Sequence, residues 1–131
     1  MGPAPAPRVL EAYVSELESL RPDKFPFHLL ALGERDILGV ATLKDRSAFH
    51  ELFPDFRYWL SGVYVPPELR GRGIAAGLCL EMVDIAKTKG VRKLYLVTEV
   101  LDGGLYAKIG WKPIRQVHED VDLLVMARDV P

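Results

Sequence analysis

The stretch VPPELRGRGIAAGL, residues 65–78, restricts the fold more than any other part of the sequence. Before it, residues 58–65 form a run rich in aromatic and β-branched side chains, the composition of a strand, and Pro66 and Pro67 close that run. After it, Ile74, Leu78, Met82, Ile85 and Ala86 recur at helical spacing, and Gly90 suits the position just past the helix end. The chain therefore passes from strand to helix through a turn that holds Gly71 and Gly73. A helix that begins in this way leaves its first N–H groups unpaired, with the positive end of its dipole behind them. Glycine lets the backbone approach a ligand closely, and Arg70 and Arg72 add charge-assisted donors. An anion, and phosphate above all, satisfies such a turn.

The remaining pattern predicts a mixed sheet with helices on its faces, an α/β (α+β) domain. Val9, Leu10, Tyr13, Val14, Leu17 and Leu20 recur at three- and four-residue steps, which predicts an amphipathic helix over 9–20 that Pro22 ends. Residues 27–32 and 37–43 are apolar runs joined by Gly33-Glu34-Arg35-Asp36, the chemistry of a hairpin turn. Residues 44–57 have no clean period and read as a loop or short helix. The near-continuous apolar run at 94–100 predicts a central strand. Gly103 and Gly104 open a short helix through Ile109, Gly110 ends it, and residues 111–117 and 121–127 form a last antiparallel pair.

Composition limits what an anion site can mean here. With 17 Lys plus Arg against 18 Asp plus Glu the formal charge is −1, so no broad field draws the chain to nucleic acid or to an anionic membrane, and any anion site is local. A chain of 131 residues fits one domain, 8–131, behind a proline-rich flexible tail at 1–7. The opening MGPAPAPR is not a secretory signal, and no apolar run reaches the length of a membrane span. The single cysteine, Cys79, falls within the helical pattern as a small buried side chain, which suits a reducing compartment and a cytoplasmic protein and does not suit a nucleophile.

The string Val63-Tyr64-Val65-Pro66-Pro67-Glu68-Leu69-Arg70-Gly71-Arg72-Gly73-Ile74-Ala75 resembles the acyl-CoA-binding motif of the GCN5-related N-acetyltransferases, Q/R-x-x-G-x-G/A after a strand and a proline-containing turn. Arg70, Gly73 and Ala75 stand at its fixed positions. Leu105-Tyr106-Ala107-Lys108-Ile109-Gly110-Trp111 resembles the same family's second signature, L-Y-x-x-x-G-F/W, at a normal distance, and the likeness covers roughly residues 27–128. It implies the family's fold, a mostly antiparallel mixed sheet splayed at the acyl-CoA site, and acetyl-CoA as cosubstrate. It further implies that N–H groups of Gly71, Arg72, Gly73, Ile74, Ala75 and Ala76 hold the pyrophosphate, and that Val63, Tyr64 and Val65 pair with the pantetheine arm. Tyr106 matches the tyrosine that protonates the leaving thiolate. No metal is required by direct attack of an amine on a thioester.

The base is left open. The glutamate that several relatives carry on the strand before the second signature has an apolar counterpart near Val97, and their asparagine seven residues before the tyrosine falls on Glu99; Thr98 or Asp102 are the alternatives. Asp55 and Trp59, with Phe53 and Phe56, are candidates for an acceptor pocket, and His118, Glu119 and Asp120 in the last hairpin turn are candidates for its edge. The acceptor expected is a primary amine on a small molecule or peptide, and a homodimer partner is a means of completing a thinly covered acceptor side. Two rivals remain: an acyl-CoA-binding module that has lost efficient catalysis, and a small Rossmann-type domain, because Gly71, Gly73 and Ala76 also fit the dinucleotide pattern G-x-G-x-x-A.

Overall fold

The computed structural model describes residues 8–11, 25–46, 52–118 and 120–131. Seven strands form one sheet: β1 (Arg8–Glu11), β2 (Phe27–Leu32), β3 (Ile37–Lys44), β4 (Trp59–Tyr64), β5 (Lys93–Thr98), β6 (Lys112–His118) and β7 (Asp122–Asp129). Their order across the sheet is β1-β2-β3-β4-β5-β7-β6. Every neighbouring pair is antiparallel except β4 and β5, which run parallel. That exception requires a crossover, and helix α1 (Ile74–Thr88) supplies it. This arrangement excludes the Rossmann rival, whose sheet is mainly parallel.

The hairpin over 27–44 and the closing pair β6–β7 stand where alternation and turn residues predict them. The predicted helix over 9–20 meets a different outcome. Residues 8–11 pair antiparallel with β2, Val9 opposite Ala31 and Leu10 opposite Leu30, while 12–20 lie outside the described residues. Four residues fit either period, and the unpaired backbone of β2 offers a full set of hydrogen-bond partners that a frayed first helical turn lacks. The expected tail at 1–7 is also outside the described residues.

One face of the sheet carries α1, which buries Ile74, Leu78, Cys79, Met82, Val83, Ile85 and Ala86 against Phe27, Leu29, Leu43, Leu94, Leu96, Leu124 and Met126. Each leucine, isoleucine, valine, phenylalanine or methionine among them contributes about 1.5–3 kcal/mol when fully buried, and Ala86 and Cys79 contribute less. Helix α2 (Gly104–Lys108) lies on the same face, with Tyr106 and Ile109 packed against this core. On the other face Tyr95, Val125 and Ala127 pack with Phe53 and Trp59, and Phe56, Val97 and Val117 border them. Among the described residues both helices lie on that first face, and the aromatic segment 52–59 covers part of the other. No described helix is long and apolar enough to cross a membrane.

Helix α2 is too short to hold itself together, and its ends explain the sequence around it. Gly103 caps it with φ 86°, and the Asp102 carboxylate accepts the Gly104 N–H at 2.9 Å. At Gly110 φ is 102°, and a Cβ there would overlap the Arg128 guanidinium, which donates through Nη1 to the Ile109 carbonyl. Gly110→Ala is therefore expected to destabilise the protein by about 2 kcal/mol through backbone strain and overlap. Urea denaturation of Gly110→Ala beside Gly110→Ala/Arg128→Ala checks this, since removing the arginine relieves the overlap and leaves the strain.

Candidate active site

The site begins where β4 and β5 part. Their pairing consists of Trp59 opposite Tyr95, with the Tyr95 N–H donating to the Tyr58 carbonyl at 3.1 Å. Past that point no further register pair joins them, and the strands diverge into a cleft. The antiparallel side of β4 shows the same departure. Val40 faces Tyr64 while Thr42 faces Ser61, so β4 carries one residue more than β3 over this span. Gly62 lies in the bulge at φ 60°, a left-handed conformation that glycine adopts without strain.

At the open end of the cleft β4 leads into the glycine turn. Pro67–Leu69 form a single 3-10 turn closed by Leu69 N–H to the Pro66 carbonyl at 2.9 Å and Arg70 N–H to the Pro67 carbonyl at 3.3 Å. Gly71 and Gly73 adopt φ 82° and 80°, and no atom lies within 4 Å of where a Cβ would stand on either. Gly73 caps α1 without any side-chain bond, and its first turn holds no acidic residue. The first helical bond runs from the Gly77 N–H to the Gly73 carbonyl at 2.9 Å, so the amides of Ile74, Ala75 and Ala76 have no partner within the helix. These amides border a cavity of about 170 Å³ lined by Val65, Leu69, Arg70, Gly71, Gly73, the first turn of α1 and Leu105 of α2.

The arginines divide their work. Arg72 is exposed and free to meet an anion's charge. Arg70 turns back on the strand: its Nε donates to the Val65 carbonyl at 2.9 Å, and its guanidinium lies 5.8 Å from the centre of the Tyr64 ring. Arg70 thus braces the turn through the side chain expected to serve as a ligand donor. Val65 is buried, while Gly62 and Tyr64 are exposed along the cleft and Val63 is half-buried.

Tyr106 follows Leu105 and is half-buried, its ring edge-on to Trp111 at a centroid separation of 6.2 Å. Burial pushes its phenol up to about 12, with the field of Cys79 on α1 adding to the effect. Near neutral pH the hydroxyl therefore keeps its proton and can only donate it. Cys79 is fully buried, and desolvation pushes its thiol up to about 12 as well, which excludes a thiolate nucleophile.

The candidates for base and acceptor contacts are scattered. Strand β5 stops at Thr98, two residues short of its expected end, so Glu99 stands exposed in the bend beyond it. The Thr98 hydroxyl accepts the Val100 N–H at 3.1 Å and the Asp102 carboxylate caps α2, so both alternatives close turns. Trp59 is 1% exposed and its indole N–H donates to the Phe56 carbonyl at 2.7 Å; it packs the vertex of the cleft and presents no free polar atom to an acceptor. Phe56 stacks on Tyr95 with centroids 4.3 Å apart, and Phe53 stacks on Phe56 at 5.1 Å, so these rings hold the same vertex. Asp55 is exposed in the preceding loop. His118 ends β6 and pairs with Asp122 at 2.7 Å on the sheet's outer hairpin, Asp120 is exposed beside it, and Glu119 lies outside the described residues. Among the described residues no three His, Cys, Asp or Glu side chains are placed to share a metal ion.

A parallel pair of strands splayed beside an uncapped glycine turn is the arrangement that the two sequence signatures imply, and the model of the acetyltransferase (GNAT) family matches residues 3–111. The chain belongs to the acetyltransferase (GNAT) family. Family membership makes it an acyltransferase. Among solved structures, a GNAT-family acetyltransferase from Staphylococcus aureus Mu50 superimposes with a TM-score of 0.69 at 17% identity, covering 96% of this chain and 100% of that one. A GNAT-family acetyltransferase from Elizabethkingia anophelis, solved with acetyl-CoA bound, gives 0.63 at 18% identity over 79% of this chain and 76% of that one. An aminoglycoside 6′-N-acetyltransferase complexed with coenzyme A gives 0.66 at 14% identity over 87% and 77%. No curated protein matches the sequence significantly.

Tyr106 carries a prediction that needs no ligand. Its pKa rises on folding, so the native state holds the proton more tightly than the unfolded chain does, and the stability this contributes is complete below pH 10 and is lost as pH climbs from 10 towards 12. A phenolate absorbance titration is expected to show a component near pH 12 that Tyr106→Phe removes; a wild-type titration already complete by about pH 11 contradicts the assignment.

Proposed function

We propose that this GNAT protein transfers the acetyl group of acetyl-CoA to a primary amine, most simply that of a small molecule, by direct attack. The observation that carries the reading is the uncapped start of α1, whose partnerless amides border a cavity that Leu105, the residue next to Tyr106, also lines. Amides from Gly71 to Ala76 take the pyrophosphate, and Arg72 supplies charge. The edge of β4 at Val63, Tyr64 and Val65, which β5 leaves unpaired, takes the amides of the pantetheine arm and presents a backbone N–H to the thioester oxygen as negative charge develops.

The neutral amine nitrogen attacks the thioester carbon, the C–S bond breaks, and Tyr106 delivers its proton to the departing sulfur. The proton lost by the amine leaves through water, with Glu99 as the exposed carboxylate at the end of β5. Near-neutral overall charge favours a small acceptor that is not strongly polycationic. The turn-closing roles of Thr98 and Asp102 favour one second reading, an acyl-CoA-binding module with little turnover.

Calorimetric titration with CoA and thiol release from acetyl-CoA across a panel of primary amines separate the two. Thiol release dependent on at least one amine is expected; tight CoA binding without release across the panel supports the second reading, and preference for NAD over CoA refutes both. Gly73→Asp is expected to abolish CoA binding, because it places a carboxylate and a strained Cβ where phosphate must come. Tyr106→Phe is expected to lower kcat about ten-fold or more with CoA affinity within two-fold; equal turnover removes its role as acid.

A further inference from the structure

A polar cluster at the base of β4, remote from the glycine turn, leads directly to the vertex of the cleft. Arg57 grips Asp45 with two donors, Nε to Oδ1 at 2.7 Å and Nη2 to Oδ2 at 2.8 Å. Forked geometry of this kind distinguishes a structural pair from an ordinary surface contact, and the Arg57 hydrogen bond holds the Asp45 carboxyl below its usual range. The backbone of Asp45 is engaged as well, accepting the Tyr58 N–H at 3.0 Å. Tyr58 has φ 79°, a left-handed conformation that a bulky residue keeps only when its surroundings enforce it. Arg57 lies 5.1 Å from the centre of the Tyr58 ring, and Phe25 packs 5.2 Å away from it. The carbonyl of this constrained residue receives the Tyr95 N–H and so begins the contact between β4 and β5.

We propose that Asp45 and Arg57 are positioning residues: their clasp holds Tyr58 in its left-handed conformation and thereby sets the angle at which β4 leaves β5. The inference rests on the reading of that cleft as the acetyl-CoA site. Neither side chain reaches the reacting atoms. Val65 lies seven positions beyond Tyr58, roughly 20 Å of extended strand. A change of about 5° at the vertex therefore moves Val65 by roughly 2 Å, and displacements of about 1 Å in a reacting geometry are enough to cost large factors in rate. The aromatic stack of Phe56, Trp59 and Tyr95 secures the strands side by side, while the clasp determines the direction in which one departs.

The test compares Asp45→Asn, Arg57→Gln, Arg57→Lys and the reversed pair Asp45→Arg/Arg57→Asp. Three readouts are taken: CoA dissociation constant, steady-state kinetics and amide exchange at Tyr95. Breaking the clasp is expected to weaken CoA and raise the KM for acetyl-CoA about five-fold, leave the KM for the amine within two-fold, and speed Tyr95 exchange about ten-fold, with β2–β3 amides unchanged. Arg57→Lys keeps the charge but loses the fork, so it is expected to show the same changes at smaller amplitude in a folded protein, and the reversed pair is expected to recover most of the loss. Wild-type protein that binds CoA, with variants that bind it equally well, overturns the clasp alone; wild-type protein that binds no CoA overturns the reading of the cleft itself. Uniformly faster exchange throughout the sheet shows a general loss of stability and also overturns the positioning role.

Discussion

Two parallel strands that meet at one residue pair and then separate are the constraint on which this structure depends. Tyr95 opposite Trp59 is the last point at which β4 and β5 satisfy each other's backbone. Beyond it each strand has an edge inside the sheet whose N–H and C=O groups find no partner on the other strand. The rest of the sheet tolerates the gap because each strand is held from its other side, β4 by β3 and β5 by β7. An opening in the middle of a sheet, rather than at its rim, places a ligand among main-chain donors without unravelling the fold.

The glycine turn completes that logic. Left-handed angles at Gly71 and Gly73 carry the chain from β4 into α1 and leave the first amides of the helix without partners. The positive end of the helix then stands beside the open end of the cleft. Arg70 contributes by tying its Nε to the Val65 carbonyl, so part of the turn's charge is used to hold its shape. The second signature arrives from the opposite side, where a one-and-a-half-turn helix is held by Asp102, Gly103 and the Arg128 bond to Ile109. These local devices bring Leu105 to the cavity and leave Tyr106 half-buried with its proton retained.

Much of this was legible in the sequence because the relevant signals are local. Pro66 and Pro67 restrict the backbone, Gly71 and Gly73 open the left-handed angles that a tight turn needs, and the spacing of Ile74, Leu78, Met82 and Ile85 marks a helix with one apolar face. The bulge at Gly62 had a weaker signal, a glycine within a strand, which marks an irregularity without saying what it opens. The acceptor candidates were harder. Phe53, Phe56 and Trp59 have a composition equally suited to lining a pocket or packing a core, and only the presence of Tyr95 across the strand vertex decides for packing. Residues 8–11 failed for a related reason: four residues satisfy two periodicities, and the neighbouring strand chose between them.

The sequence by itself determined the order of elements after residue 27, the strand-turn-helix that presents free amides, and the membership of two signatures in one family. The first two depend on dihedral preferences and short-range periodicity, which act over a few residues, and the third is a likeness of motif. Tertiary structure alone decided that β4 and β5 touch once and part, that Arg70 braces the turn, and that Asp45 reaches across to Arg57 and Tyr58. These depend on which distant backbone edges and charges the fold brings within hydrogen-bond reach, and no pattern along the chain encodes that distance.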